Sequence, residues 1–107
     1  MEVHNELGNG FLEKVYQEAL AIEFEKSKIP YIRENKLELY YKKIQLDQYY
    51  MVDFICFDEI IIEVKAVAKL KPEHIAQTIN YLKATNKKLA LLVNFGESQF
   101  HFQRVVR

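Results

Sequence analysis

The chain is poor in cysteine, proline, glycine and tryptophan: its 107 residues include one cysteine, two prolines, three glycines and no tryptophan. The single Cys56 excludes an intrachain disulfide, and its neighbours Ile55 and Phe57 predict a buried thiol. No apolar run approaches the ~18 residues of a membrane helix, and no secretory leader pattern is present. We therefore expect no membrane partner and a cytoplasmic location.

An excess of charge of either sign is also missing. Fifteen Lys and Arg balance fifteen Asp and Glu, so the formal net charge is zero. That balance excludes a whole-chain electrostatic footprint for nucleic acid and leaves only local patches. Half of the residues are hydrophobic and 13% are aromatic, which is typical of a globular chain rather than a disordered one. We expect a single domain over residues 1–107.

The N-terminal segment is predicted to be helical and to end before Pro30. Its apolar residues recur with mostly four-residue spacing and form one stripe. The stripe consists of Val3, Leu7, Phe11, Val15, Ala19 and Ile22, widened by Leu12, Tyr16 and Leu20. Gly8 and Gly10 interrupt this pattern, and each costs a helix about 1 kcal/mol relative to Ala. We expect a kink, a break or a close packing contact there.

The remainder of the chain has β-type patterns on both sides of a second helix. The predicted elements are β structure from Tyr31 with a polar turn at 41–43, strands at 51–57 and 60–67, a helix at 72–85 that stops at Asn86, and strands at 89–94 and 99–106. One helix, three strands, one helix and two strands follow in order. This order favours an α/β domain with a mixed, twisted sheet and helices on its faces.

Two charged residues lie inside the most apolar strand of the chain. Side chains alternate across a strand, so Glu63 and Lys65 share a face with Ile61, while the residues between them must pack against a helix. A buried carboxylate or ammonium needs a partner, a metal ion or an opening to water. One interpretation is a simple Glu–Lys ion pair on the solvated face of an antiparallel sheet. A catalytic role is the alternative.

The position of Asp53 decides between these interpretations, and it depends on the register of two strands. A two-residue loop at Asp58-Glu59 places Phe54 opposite Glu63 and points Asp53 away. A three-residue loop that includes Phe57 places Asp53 directly opposite Glu63, with Cβ atoms about 5 Å apart. The sequence leaves both registers open.

In the second register, two carboxylates repel each other unless a cation lies between them. Hard divalent ions such as Mg²⁺ take oxygen ligands, so Asp53, Glu63 and the backbone carbonyl of Val64 would form a partial shell. Lys65 beside that shell would orient an attacking water or stabilise charge on a scissile phosphate. This hypothesis gives the three charges a common explanation.

Several motifs carry a resemblance to a known family. Asp53, Glu63 and Lys65 form a D…ExK pattern that resembles the signature of the PD-(D/E)XK nuclease superfamily. The string GNGFLEKVY contains Gly10, Glu13 and Tyr16 as GxxExxY, which names a family within it. The string QTINYL contains a QxxxY pair that is similar to a motif of RecB-type exonucleases, and LALLVNFG followed by residues 100–106 resembles the C-terminal part of the GxxExxY family.

The resemblance implies an αβββαβ core with a mixed central sheet, and a divalent-metal site that cleaves phosphodiester bonds. It implies that Asp53 and Glu63 are metal ligands, that Lys65 is the catalytic lysine and that Glu13 reaches the site from the first helix. Gln77 and Tyr81 would flank the site and hold Lys65 or the nucleic-acid backbone. The proline often found before the aspartate is replaced by Val52.

Each flanking residue also has an ordinary structural interpretation. Gly10, Glu13 and Tyr16 are spaced by three, so they predict one stripe on the first helix, in which Glu13 is solvated and Tyr16 packs in the core. Gln77 and Tyr81 lie four apart, which is a common helix contact.

The prediction that follows is a nuclease that uses Mg²⁺ or Mn²⁺ and acts on DNA, with RNA as the alternative substrate. A small chain covers little of a duplex, so we also expect a homodimer. The rival prediction is a catalytically inactive binding or regulatory module with the nuclease fold. Its Asp53, Glu63 and Lys65 would form an ion-pair cluster indifferent to divalent cations.

Overall fold

A computed structural model describes residues 2–107, which form three helices and five strands. In chain order they are α1 (Glu2–Leu7), α2 (Glu13–Lys26), β1 (Tyr31–Tyr41), β2 (Ile44–Cys56), β3 (Ile60–Lys65), α3 (Pro72–Thr85), β4 (Leu89–Asn94) and β5 (His101–Val106). The strands lie in one sheet in the order β1-β2-β3-β4-β5. Only β3 and β4 are parallel, and α3 is the crossover that joins them. The predicted mixed sheet is confirmed.

Each face of the sheet carries its own hydrophobic core. The α2-side core is built from Val3, Tyr16, Leu20, Phe24, Phe54, Cys56, Ile62, Val64, Val93 and Phe95. The α3-side core is built from Leu37, Val52, Ile55, Ile61, Tyr81, Leu82, Ala90, Leu92 and Val105. Strand β3 contributes alternate residues to both, which explains why its sequence is apolar almost throughout.

The predicted N-terminal helix is broken where its glycines lie. Helix α1 ends at Leu7 and α2 begins at Glu13, with Gly8 in the left-handed region at φ 73°. The predicted apolar stripe is therefore wrong for α2, since a break does not preserve the phase of a periodic pattern. Ile22 is 55% exposed, and the buried face of α2 is made by Tyr16, Gln17, Leu20 and Phe24. No helix within residues 2–107 is long and apolar enough to span a membrane.

The first hairpin is longer than its sequence predicts. Strand β2 begins at Ile44 rather than Met51, and the turn at Lys42 and Lys43 has positive φ at both residues (49° and 67°). That pair of angles is typical of the two-residue turns that join antiparallel strands. The outer part of β2 is exposed on both faces, so it lacks the alternation by which half-buried strands are recognised.

The side chains of β2 change from one face of the sheet to the other near the C-terminal end of the strand. Phe54 belongs to the α2-side core and Val52 to the α3-side core, although residues two apart in a regular strand share one face. The pairing of β1 with β2 omits Glu34 and Asp53 at this point, and Glu34 has φ 55°. Pairing of β2 with β3 covers only Phe54↔Ile62 to Cys56↔Ile60. The two strands are therefore paired next to the loop that connects them, and they separate at Asp53.

The C-terminal ends of β3 and β4 are joined by the side chain of Asn94, which is fully buried. Its Oδ1 accepts hydrogen bonds from the Val67 N–H (3.0 Å) and the Gly96 N–H (3.1 Å). Its Nδ2 donates to the Val67 carbonyl (2.9 Å) and to Glu97 Oε2 (2.8 Å). This network fixes the segment that follows Lys65. The final strand begins at His101, two residues later than predicted.

The thiol of Cys56 is buried, as predicted, with 2% of the residue exposed. Burial raises its pKa to about 11.

Replacing Gly96 with Ala is expected to destabilise the fold. A Cβ at Gly96 would clash with the Val67 carbonyl oxygen, and backbone cannot move aside as a flexible side chain can. We expect a loss of about 1–3 kcal/mol in the free energy of unfolding, measured by urea denaturation. Gly10→Ala is the matched control, because a Cβ there meets no atom within 4 Å. Equal stability of the two variants would contradict this packing.

Candidate active site

Asp53 and Glu63 are brought together by the register of β2 and β3. Three residues, Phe57 to Glu59, connect the strands, and Phe54 pairs with Ile62. Continuing this register by one residue places Asp53 opposite Glu63. The three-residue loop is therefore the alternative that the structure adopts.

The carboxylate of Asp53 fills the opening where β2 leaves β3. Its Oδ2 accepts a hydrogen bond from the Val64 N–H at 2.7 Å, and its Oδ1 accepts one from Gln17 Nε2 at 3.0 Å. The Val64 N–H faces β2, but it lies beyond Phe54↔Ile62, the last residue pair of β2 with β3. The Asp53 side chain accepts the hydrogen bond that a β2 carbonyl would otherwise accept. The second hydrogen bond comes from α2, on the opposite face of the sheet from α3. Asp53 is thus held in the gap between β2 and β3, by one group from the sheet and one from α2.

Glu63 is buried beside this carboxylate, with 4% of the residue exposed. Among the described residues, its Oε1 has no hydrogen-bond partner. Burial, and next the adjacent Asp53 carboxylate, raise the pKa of Glu63 from 4.5 to about 10, while the charge of Lys65 acts in the opposite direction. Burial outweighs the effect of Lys65, so the surroundings favour the protonated form of this carboxyl group.

Lys65 lies at the end of β3 and points toward α3. Its Nζ donates a hydrogen bond to Gln77 Oε1 at 3.3 Å, so the first residue of the QxxxY pair contacts the lysine. Tyr81, one turn further along α3, is 7% exposed and packs edge-on against Tyr50 with ring centroids 5.0 Å apart. Burial, and then the charges of Glu63 and Asp53, raise the pKa of Tyr81 to about 12. Its hydroxyl therefore stays protonated at neutral pH.

Glu13 lies apart from these groups, exposed in the first turn of α2. It lines a cavity of about 400 Å³ together with Gln17 and Ala66, so it borders the site on the α2 side. Within residues 2–107, no three His, Cys, Asp or Glu side chains are grouped closely enough to hold a metal ion. The structure brings Asp53 and Glu63 together, and Glu13 lies at the rim in the sense that it lines an open cavity with Gln17, the partner of Asp53.

The other two residues of the GxxExxY string belong to the loop before α2 or contact it. Gly10 precedes the helix, so the predicted single stripe of Gly10, Glu13 and Tyr16 is wrong. Tyr16 is fully buried and stacks on Phe95 at 4.6 Å between ring centroids. Its hydroxyl donates to the Gly8 carbonyl at 2.6 Å and accepts from the Phe11 N–H at 3.2 Å. It thereby sets the path of the chain from α1 into α2, at whose start Glu13 lies.

Gln17 is a site residue that the sequence motifs miss. It is 3% exposed and hydrogen-bonded to Asp53. A usable signal was present, because Gln17 precedes Leu20 by three residues and Phe24 by seven. That spacing puts a polar amide on the core face of a helix, where such groups are rare unless paired.

The oxygen atoms at this point suit a hard divalent cation. Asp53 and Glu63 provide two adjacent carboxyl groups, and Glu63 Oε1 is a buried acceptor with no hydrogen-bond partner within residues 2–107. Backbone N–H and C=O of one strand residue point to the same side, so the Val64 carbonyl faces the same opening as the N–H that Asp53 accepts. Carboxylate and carbonyl oxygens are the ligands that Mg²⁺ and Mn²⁺ prefer.

Comparison with known proteins gives a family and a fold. Residues 1–105 match the family model of the PD-(D/E)XK nuclease superfamily. The crystal structure of a protein named SSO0001 has a TM-score of 0.70 at 16% sequence identity, covering 88% of this chain and 49% of that chain. An alkaline exonuclease (LHK-Exo) from Laribacter hongkongensis has a TM-score of 0.63 at 15% identity, covering 88% and 55%. This chain thus spans about half the length of those structures. No curated protein matches the sequence.

The burial of Glu63 predicts that Glu63→Gln stabilises the metal-free protein. Because the folded-state pKa of about 10 exceeds the ordinary value of 4.5, ionising Glu63 disfavours the folded state, and the free energy of unfolding falls as pH rises between these values. Glutamine does not titrate and can donate to Asp53. At pH 7 we expect a gain on the order of 2 kcal/mol, increasing from pH 5 to pH 9.

Thermal denaturation in EDTA at pH 5, 7 and 9 measures this effect. The matched control is Glu59→Gln, which changes an exposed glutamate at the other end of β3. A Glu63→Gln variant less stable than wild type at pH 9 would show that the carboxylate is well solvated or paired.

Proposed function

This chain belongs to the PD-(D/E)XK nuclease superfamily, and from that premise we propose that it is a metal-dependent nuclease that hydrolyses phosphodiester bonds of DNA. The observation that carries the proposal is the buried Glu63 beside Asp53, whose Oε1 has no hydrogen-bond partner in the described part of the chain. We further propose that the chain is a member of the GxxExxY family, on the string that contains Gly10, Glu13 and Tyr16.

The fold supports this proposal without defining the substrate. The αβββαβ arrangement of a mixed sheet between helices is that of PD-(D/E)XK nucleases, as predicted. One of the similar structures is named an alkaline exonuclease. This chain spans about half of that structure's length, and linear, circular and RNA substrates distinguish end from internal cutting and DNA from RNA.

Asp53, Glu63 and the Val64 carbonyl would hold Mg²⁺ or Mn²⁺. A bound divalent cation supplies the positive charge that lowers the pKa of water and stabilises negative charge on a phosphate. Asp53 keeps its place through Val64 and Gln17, so it presents a preorganised oxygen ligand. Burial favours the protonated form of Glu63, so a cation bound there would compete with its proton, and cation binding would be stronger at higher pH.

Lys65 would act on the reacting phosphate or on the attacking water. Its ammonium is a compact charge that donates hydrogen bonds, and Gln77 orients it by accepting one of them. Tyr81, on the same helix, lies near enough to Glu63 and Asp53 for their charges to raise its pKa, so its hydroxyl would face the site in the neutral form. Glu13, exposed at the rim, would reach the site through water from the α2 side.

A binding module of the same fold is the second candidate. Its support is the formal net charge of zero, since substrate-binding nucleases commonly profit from a basic surface. Such a module predicts that divalent cations do not bind at Asp53 and Glu63. The two candidates are therefore distinguished by cation binding before any substrate is found.

The proposed function predicts that Glu63→Gln loses both Mn²⁺ binding and hydrolysis while it stays folded. Mn²⁺ binding is measured by electron paramagnetic resonance, with and without an oligonucleotide, since a phosphate can complete the ligand shell. Hydrolysis is measured on linear and circular DNA, single and double strands, and RNA. We expect a loss of activity of at least about 100-fold, as for other removed transition-state contacts.

Glu59→Gln is again the control, and we expect wild-type binding and activity from it. Undiminished hydrolysis in Glu63→Gln would end the assignment. Absence of saturable Mn²⁺ binding by the wild type, with and without oligonucleotide, would favour the binding module.

A further inference from the structure

Gln17 is a polar residue in an apolar place. It is 3% exposed and lies on the buried face of α2, whose other members are Tyr16, Leu20 and Phe24. An amide group loses its hydrogen bonds to water when it is buried there, and this loss costs free energy unless protein groups replace them. The residue is therefore unfavourable for packing alone.

Only half of this amide is compensated. Nε2 donates to Asp53 Oδ1 at 3.0 Å, whereas Oε1 has no partner among the described residues. An unsatisfied buried acceptor costs about 1–3 kcal/mol. The opposite orientation of the amide would point an oxygen at a carboxylate, so the observed one is fixed by Asp53. The stability of the fold therefore does not explain why a glutamine occupies position 17. Its hydrogen bond to Asp53 is the explanation that remains.

That hydrogen bond completes the restraint of the Asp53 carboxylate. Val64 N–H holds Oδ2 from β3, and Gln17 holds Oδ1 from α2. A single hydrogen bond permits the carboxylate to rotate about it, whereas two donors on two oxygens define its plane.

We propose that Gln17 is a positioning residue of the cation site, which holds the Asp53 carboxylate in the opening between β2 and β3 so that its oxygens converge with those of Glu63. The inference rests on the proposed function. Hydrogen-bond partners of metal-binding carboxylates commonly account for 10- to 100-fold in metal affinity. We expect an effect in this range.

Gln17→Met tests this role, because methionine has a similar volume and length but no donor. Gln45→Met is the matched control: Gln45 Nε2 also donates to a carboxylate, Glu38 Oε2 at 2.7 Å, but on the exposed part of the first hairpin. Mn²⁺ affinity is measured by electron paramagnetic resonance, and thermal stability is measured in EDTA.

We expect Gln17→Met to bind Mn²⁺ at least about tenfold more weakly than wild type, at unchanged or higher thermal stability. Hydrolysis should recover as Mn²⁺ is raised, unlike that of Glu63→Gln. Gln45→Met should behave as wild type. Mn²⁺ affinity of Gln17→Met equal to that of wild type would overturn the inference.

Two further measurements keep the inference separate from folding and from the proposed function. If Gln17→Met is poorly folded, Gln17→Asn replaces it, since its amide is one methylene too short to reach Asp53. Wild-type affinity in that variant overturns the inference. If wild type itself binds no Mn²⁺, the proposed function fails. Metal-free crystal structures then decide: an unchanged Asp53 conformation in Gln17→Met refutes positioning, and a rotated one supports it.

Discussion

The hydrogen bond from the Val64 N–H to the Asp53 carboxylate is the interaction on which the site depends. Strand β2 leaves β3 immediately beyond Phe54, and the N–H groups of β3 that face β2 need another acceptor from that point. The Asp53 side chain provides it at 2.7 Å. One bond therefore ends the pairing of two strands, opens the sheet and places a carboxylate beside Glu63.

The buried polar groups of the site lower the stability of the fold, and the packing around them offsets part of this loss. Two carboxyl groups and an amide with an unsatisfied oxygen lie together in a chain of 107 residues. Around them, Tyr16 stacks on Phe95, and the Asn94 side chain ties the end of β4 to Val67. These contacts hold in place the helix and strand ends that surround the two carboxyl groups. Groups that are unfavourable for stability are common at active sites.

Much of the fold follows from local sequence, and most of the site does not. Strand β4 and helix α3 have the predicted ends, since a short apolar run defines the first and Pro72 and Asn86 bound the second. The outer part of β2 escaped prediction because exposure on both faces removes its periodicity. The residues Asp53, Glu63 and Lys65 were evident as a motif, but their register depended on one loop residue. The contact of Gln17 with Asp53 joins positions 36 residues apart, and no local pattern encodes such a distance.

The buried Cys56 gives the native chain an internal reporter. It is the one cysteine in the sequence, it lies three residues after Asp53 on β2, and its raised pKa suppresses the reactive thiolate at neutral pH. Thiol reagents therefore reach it only when β2 separates from α2. Their rate of reaction measures how often this strand opens, without any engineered label. Because Asp53 belongs to the same strand, ligands that tighten the site should slow that chemistry from a distance.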